Sequence, residues 1–416
     1  MSLPVPPQHE PGLPARLLPA LGFVLAGLVG RALIDKALAL RGGAELVAHW
    51  AQLNSLTDIV GGVALAGIGI GLTGRVAIEA PYRQRRLLGD ALRLGLLMSA
   101  LCLIACSALA LCGWLPLLAP EHASLLLPAL ATGWLLVAPG LLVAWLLGRG
   151  EAGRATAVAV ALLALPLLAL WLAAAGRELV ALLGTQALLG LAVTAFLLAG
   201  EGSWRGALGA GHGLRPFVMA GIAIGILSPA ATAAARMEIA ASASWEAAGA
   251  VQALWRSSEW ITAIAAGLLN AHFLPRLSTT RDARAFDAEL RASARQVVLP
   301  AILALALLWL LLPQALALLY HEGLPVGRLD AVPFLAGDAL RMLSWIFLFG
   351  LFARGAGWAV TAGELLSLPL FAVLLLMLPG PLALPAVGLA WMLAYAVYAG
   401  FNFWALRRVA AISGPA

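Results

Sequence analysis

What most constrains this chain is the recurrence of apolar stretches, each long enough to cross the ~30 Å hydrocarbon core of a bilayer, which needs about 20 residues of helix. Hydropathy interrupted by charge divides the sequence into twelve of them, at approximately 16–40, 46–72, 94–116, 124–147, 155–174, 179–200, 217–240, 248–273, 297–319, 333–353, 358–378 and 385–406. In hydrocarbon every backbone polar group has to be satisfied within its own segment, so stretches of this kind fold as helices. Of the 416 residues 62% are hydrophobic and 11% charged, and no connection is long enough to form a separate soluble domain. The expected fold is all-α and membrane-embedded.

Arginine carries the positive charge, Lys36 being the only lysine. When the connections are numbered alternately, one set holds eighteen arginines, counting Arg16 at the border of the first stretch. The other set holds only Arg41, Arg177 and Arg328. Basic residues concentrate on the cytoplasmic side of membrane proteins, so the asymmetry places both termini in the cytoplasm and requires an even number of spans. It also explains the net charge of +6 through loops rather than through nucleic acid. The run after Arg16 continues to Leu40 without a convincing small-residue cleavage site and reads as an uncleaved first span. The segment RDARAFDAELRASAR (281–295) has charges recurring as on a short interfacial helix.

The stretch from Phe217 to Arg276 is polar where the others are not. It carries Pro229, Arg236, Gln252, Arg256 and Glu259 at membrane depth. A charge at the bilayer centre costs at least ~2.5–3.5 kcal/mol, so such residues normally face a bundle interior or a water-filled cavity. The alternative is an internal ion pair, since Arg256 and Glu259 are three apart on one helical face. Other ionisable groups in the spans are Arg31, Asp35, Lys36, His49, Asp58, Asp338, Arg341 and Glu364. Arg31 with Asp35, and Asp338 with Arg341, stand at spacings that allow mutual neutralisation. His49 lies near a span end and reads as a satisfied interfacial histidine rather than a proton relay. Arg236 has no obvious local partner, and the surplus of guanidinium groups favours an anionic substrate, phosphate above all.

No G-x-x-x-x-G-K-[ST], H-E-x-x-H, C-x-x-C or G-x-S-x-G occurs, so neither an enzyme nor a cofactor or metal is expected. Cys102, Cys106 and Cys112 share one apolar segment and read as small hydrophobes. Residues 31–60 laid on 236–265 without a gap match Arg31 with Arg236, Trp50 with Trp255 and Thr57 with Thr262. That faint repeat implies two six-span halves of the same orientation, with the substrate site between spans one–two and seven–eight. The halves would be 1–200 and 217–416, joined by a cytoplasmic linker at 201–216.

Several local patterns then look familiar. They are VGR ending at Arg31, GIGIGLTGRVA with Arg75, Pro229 with Arg236, SWEAAG (Ser244–Gly249) followed by Gln252, and FLPRLS (Phe273–Ser278). GDALRMLSW (Gly337–Trp345), FARGAGW and AGE ending at Glu364 complete the series. In order and spacing the whole chain resembles the Wzx-type lipid-linked oligosaccharide flippases of the multidrug/oligosaccharidyl-lipid/polysaccharide exporter (MOP) superfamily, most closely the enterobacterial common antigen branch that moves lipid III. Val251, where an aromatic residue is usual, and Asp35–Lys36 depart from the pattern and leave the sugar specificity open.

The resemblance implies a MOP/MATE-like fold of about twelve helices in two lobes, in a bacterial inner membrane. It implies translocation of an undecaprenyl-pyrophosphate-linked oligosaccharide to the periplasmic leaflet by alternating access, with a polysaccharide polymerase and a chain-length regulator as candidate partners. On that reading Arg31, Lys36, Arg236, Gln252 and Arg256 are candidates for the pyrophosphate or cavity, and Asp35, Asp58, Glu259, Asp338 and Arg341 for ion coupling or counter-charge. The rival readings are a drug/cation antiporter of the same superfamily and a membrane-embedded polymerase or glycosyltransferase.

Overall fold

The computed structural model describes residues 13–112, 120–200, 214–269, 273–280, 282–320, 324, 326–378 and 380–412. Among them no strand occurs. The first half of the chain is built from α1 (Leu13–Val63), a π-helical stretch (Ala64–Gly69), α2 (Ile70–Ile78), α3 (Pro81–Leu111), a 3-10 stretch (Pro120–Leu125), α4 (Leu126–Leu135), α5 (Val137–Gly148), α6 (Ala152–Leu172) and α7 (Glu178–Gly200). The second half comprises α8 (Arg215–Ser242), α9 (Trp245–Leu268), α10 (Leu274–Thr279), α11 (Ala283–Ser293), a π-helical stretch (Ala294–Val298), α12 (Leu299–Leu310), α13 (Leu312–Leu319), α14 (Arg328–Ala353), α15 (Gly357–Leu365), α16 (Leu368–Met377) and α17 (Leu384–Ile412).

Nine described helical stretches are long and apolar enough to cross a membrane, the first being Leu25–Ile78. That first stretch is two spans. Gly42 and Gly43 leave helical geometry, and Gly43 takes φ 67°, ψ −163°, a conformation open essentially to glycine alone. Adding α8 and α9, of spanning length with 28 and 24 residues, brings the count to the expected twelve. These two are the helices that carry the polar residues at membrane depth.

Two expected spans are interrupted. The 297–319 stretch breaks at Leu311, ahead of Pro313, and the 358–378 stretch breaks at Leu366–Ser367, ahead of Pro369. In both cases the proline is the second residue of the helix that resumes, where its missing N–H is one that no intrahelical acceptor would have served. Pro166 and Pro229, by contrast, sit inside continuous helices. The amphipathic segment is helical as α11, which Asp282 caps by accepting from the Ala285 N–H at 2.7 Å. It is not a separate interfacial helix, because it runs through the π-helical stretch into α12. Cys102 and Cys106 are free thiols 4.0 Å apart, packed within the bundle.

Helices before α8 pack with one another, α1 against α3, α4 and α6, and α4 against α7. Those from α8 onward do likewise, above all α14 with α17 and α8 with α16. The two groups meet mainly where α1 lies along α8 and α9. There Gly62 faces Gly225, and a methyl group on Gly62 would sit 2.5 Å from the Gly225 carbonyl oxygen. Four residues on from Gly225 stands Pro229, which has no N–H to return to that carbonyl. This close approach of the two halves therefore uses an oxygen to which residue 229 of its own helix donates nothing, and a second backbone approach, closer still, sets Gly249 of α9 against the Ala44 carbonyl of α1. Most of the expected linker at 201–216 lies outside the described residues.

Candidate functional site

Span two, within α1, presents Ala51, Asn54, Ser55 and Asp58 at helical spacing, so these side chains share one face. That face lines a cavity of about 190 Å³ together with Thr232 and Arg236 of α8 and Gln252, Trp255, Arg256 and Glu259 of α9. The space holds a few waters, at ~30 Å³ each, or a phosphate-sized group, and is too small for an oligosaccharide.

Arg236 is 7% exposed and reaches three partners, all neutral. Its Nη1 donates to Gln52 Oε1 at 2.6 Å and to Ser55 Oγ at 3.3 Å, and its Nη2 donates to Gln252 Oε1 at 3.1 Å. Two of these partners come from α1 and one from α9, so one guanidinium joins three helices. Hydrogen bonds to neutral oxygens orient the group without cancelling its charge.

Arg256 is held differently. Its Nε donates to Asp35 Oδ2 at 3.3 Å and its Nη1 to Glu259 Oε2 at 2.5 Å. Arg31 lies 3.8 Å from the other Glu259 oxygen, with its side chain 57% exposed. Asp35 and Arg31 therefore pair with α9 and not with each other, and the chain Arg31–Glu259–Arg256–Asp35 crosses between the halves. Counting Asp58 and Arg236 with this chain gives three acids and three arginines, so formal charge here is balanced. The surplus of guanidinium expected from the sequence is absent. The only unneutralised cation by direct contact in this set is Arg236.

The remaining candidates lie elsewhere. Lys36 donates its ammonium to the Ala317 carbonyl of α13 at 3.1 Å, outside the cavity wall. Asp338 is fully buried, accepts from Trp391 Nε1 at 3.3 Å, and sits 3.9 Å from Arg341. Arg341 lies over the rings of Trp345, Trp391 and Tyr395 at 4.9, 5.9 and 5.7 Å. Glu364 accepts from the Tyr398 hydroxyl at 2.9 Å. Trp255 connects the regions, since it lines the cavity and its ring lies 4.5 Å from that of Trp391.

Sequence reasoning did not single out Gln52, Asn54 or Ser55. The signal was present, because these residues with Asp58 make a polar face three to four residues apart in an otherwise apolar span.

No protein-family model matches the chain, and no curated protein matches it in sequence. Solved structures do match in fold. One is a multidrug resistance MATE family transporter of the MOP superfamily in an inward-facing conformation, with TM-score 0.68 and 14% identity over 98% of this chain and 97% of that one. The lipid II flippase MurJ in an inward closed conformation gives 0.65 at 12% identity over 96% and 90%. A MOP superfamily transporter from Pyrococcus furiosus, whose reversed pocket polarity suggests a different function for it, gives 0.66 at 14% identity over 98% and 100%. The fold is thus that of the MATE and MOP superfamily transporters, and the protein is a multi-pass membrane protein.

Proposed function

We propose that this protein translocates an undecaprenyl-pyrophosphate-linked oligosaccharide from the cytoplasmic to the periplasmic leaflet of a bacterial inner membrane, with both termini cytoplasmic, and that it is not an enzyme. The observation that carries the reading is Arg236, a buried guanidinium on a polar cavity wall between the halves, oriented by neutral oxygens. The sequence resemblance and a fold shared with a lipid II flippase support it. A diphosphate carries about two negative charges, and moving ions of that kind out of water costs several kcal/mol each, so the protein's task is to replace the lost solvent. An arginine supplies five donors at any accessible pH and can take phosphate oxygens bidentately.

On this reading the halves alternate about their contact, the oligosaccharide stays in water once the cavity widens, and the prenyl chain stays in lipid. A phosphate drawing Arg256 away from Asp35 or Glu259 would free a carboxylate to take up a proton, which couples transport to a pH gradient. The test is complementation of a strain lacking its lipid-linked oligosaccharide flippase, at matched expression, with surface polysaccharide as readout. Restoration by the wild type and loss with Arg236→Ala supports the proposal, and failure of the wild type in every such strain refutes it.

The balanced charge and the exposed Asp58 on the cavity wall favour a second reading, a drug or cation antiporter. Raised drug tolerance in an exporter-deficient host, lost with Asp58→Asn, would decide for it.

A further inference from the structure

A separate cluster lies at the end of the bundle where span one turns into span two. His49 stands in the second turn of span two, 2% exposed, with no partner on its Nε2. The 3-10 stretch Pro120–Leu125 brings the exposed Glu121 and the half-buried His122 over it. The His49 and His122 ring centroids are 4.4 Å apart, edge to face. One ligating atom from each of His49, Glu121 and His122 lies within 4.8 Å of the others, and among the described residues no other group of three or more His, Cys, Asp or Glu does this. The His49 ring also packs edge-on against Trp245, the first residue of α9, at 4.3 Å.

We infer that His49, Glu121 and His122 form a binding site for a borderline divalent cation, zinc above all. Two imidazoles and a carboxylate are the donor set that zinc takes at about 2.0–2.2 Å, with a fourth position left for water. Tetrahedral bonds of that length need donors ~3.4 Å apart, closer than the upper limit here. The approach falls to the exposed Glu121 and the half-buried His122, while His49 stays fixed in the core. A polar atom left without a partner on a buried ring is destabilising, and a metal bond would satisfy it. Because the His49 ring rests on Trp245, an ion there also fixes the contact between the first half and α9. The transport reading is not needed for any of this.

The experiment is titration of tag-free, full-length protein in detergent with Co²⁺ and Zn²⁺, against a chromophoric chelator. We expect one equivalent per chain, visible Co²⁺ absorption of a four- or five-coordinate site, and displacement by Zn²⁺. Glu121→Gln changes an exposed side chain and His122→Ala a half-buried one, and circular dichroism confirms that each variant folds before it is titrated. Each is expected to weaken binding by at least the ~10–100-fold that loss of a supporting partner causes at metal sites. Zinc should also raise the thermal midpoint of the wild type and not that of His122→Ala. No stoichiometric binding by the wild type, or equal binding by wild type and both variants, overturns the inference.

Discussion

Trp255 touches two groups of buried charge that use the same residue types to opposite ends. On its cavity side, Arg31, Asp35, Arg236, Arg256 and Glu259 come from α1, α8 and α9, so every pairing but Arg256 with Glu259 and Arg236 with Gln252 joins the first span pair to the second half. On the other side, Asp338, Arg341 and Trp391 come from α14 and α17, helices of one half that pack along their length. The first group borders a space that admits water, and its arginines have alternative acceptors within reach. The second is enclosed by rings, and the Asp338 oxygen left without a donor belongs to the acid already beside Arg341 in the same half. Under the proposed alternating access, motion of one half against the other would exchange partners in the first group and carry the second along as a block.

The largest expected effect tests the block. Asp338→Ala leaves the Arg341 charge and the Trp391 N–H uncompensated, and removing one partner of a buried pair costs about 3–5 kcal/mol. Thermal melting in detergent should show it, whereas Asp338→Asn should keep most of both stability and transport. If the asparagine variant melts normally but does not transport, the second group is the coupling site and the comparison fails.

Next comes Arg236, where charged hydrogen bonds of ~1.5–3 kcal/mol correspond to about 10–100-fold in transport for the alanine variant. Lysine keeps the charge without the fork and should fall between wild type and alanine in complementation at equal expression. Equal activity of all three would show that Arg236 only braces the three helices.

A smaller effect is expected for the pair Asp35 and Arg256, partly buried at 3.3 Å. A double-mutant cycle with Asp35→Asn and Arg256→Gln, read by thermal unfolding, should give a coupling of about 0.5–3 kcal/mol, and the same cycle with Asp58→Asn nearly none. Strong coupling to Asp58 would mean that the pairs have already exchanged in solution.

The smallest effect lies outside the membrane. Arg154 and Arg149 hold the Glu151 carboxyl below its ordinary range through hydrogen bonds. A depressed acid stabilises the fold fully above its unfolded value of 4.5 and loses that contribution as pH falls through the folded one. Glu151→Gln should therefore lower the melting temperature slightly at neutral pH, not at all in strong acid, and less still in high salt.

Much of this architecture is legible in the residues. Apolar length located the spans, and the polar run from Pro229 to Glu259 marked two of the three helices that line the cavity, while the glycine pair that makes the first reversal was not singled out. Pairing was not legible, because a spacing of three or four residues shows only that two groups can meet. Arg31 passes over Asp35 for Glu259, and Lys36 turns to a carbonyl of α13, since both choices depend on helices more than two hundred residues distant. Net charge failed as a guide for a related reason. Which acids reach a cavity is settled by packing: Asp58 lines this one, and Asp35 reaches its wall by pairing with Arg256.

The meeting of Gly62 with the Gly225 carbonyl bears on speed rather than stability. Separating two surfaces normally requires interlocked side chains to change rotamer in concert, and each such step slows the passage. Here the facing surfaces are bare backbone, held by dispersion of only ~0.1–0.2 kcal/mol per atom pair, and the buried oxygen can take a donor from water once a gap admits one. If the halves part as the proposed transport requires, Pro229 eases the separation at this point.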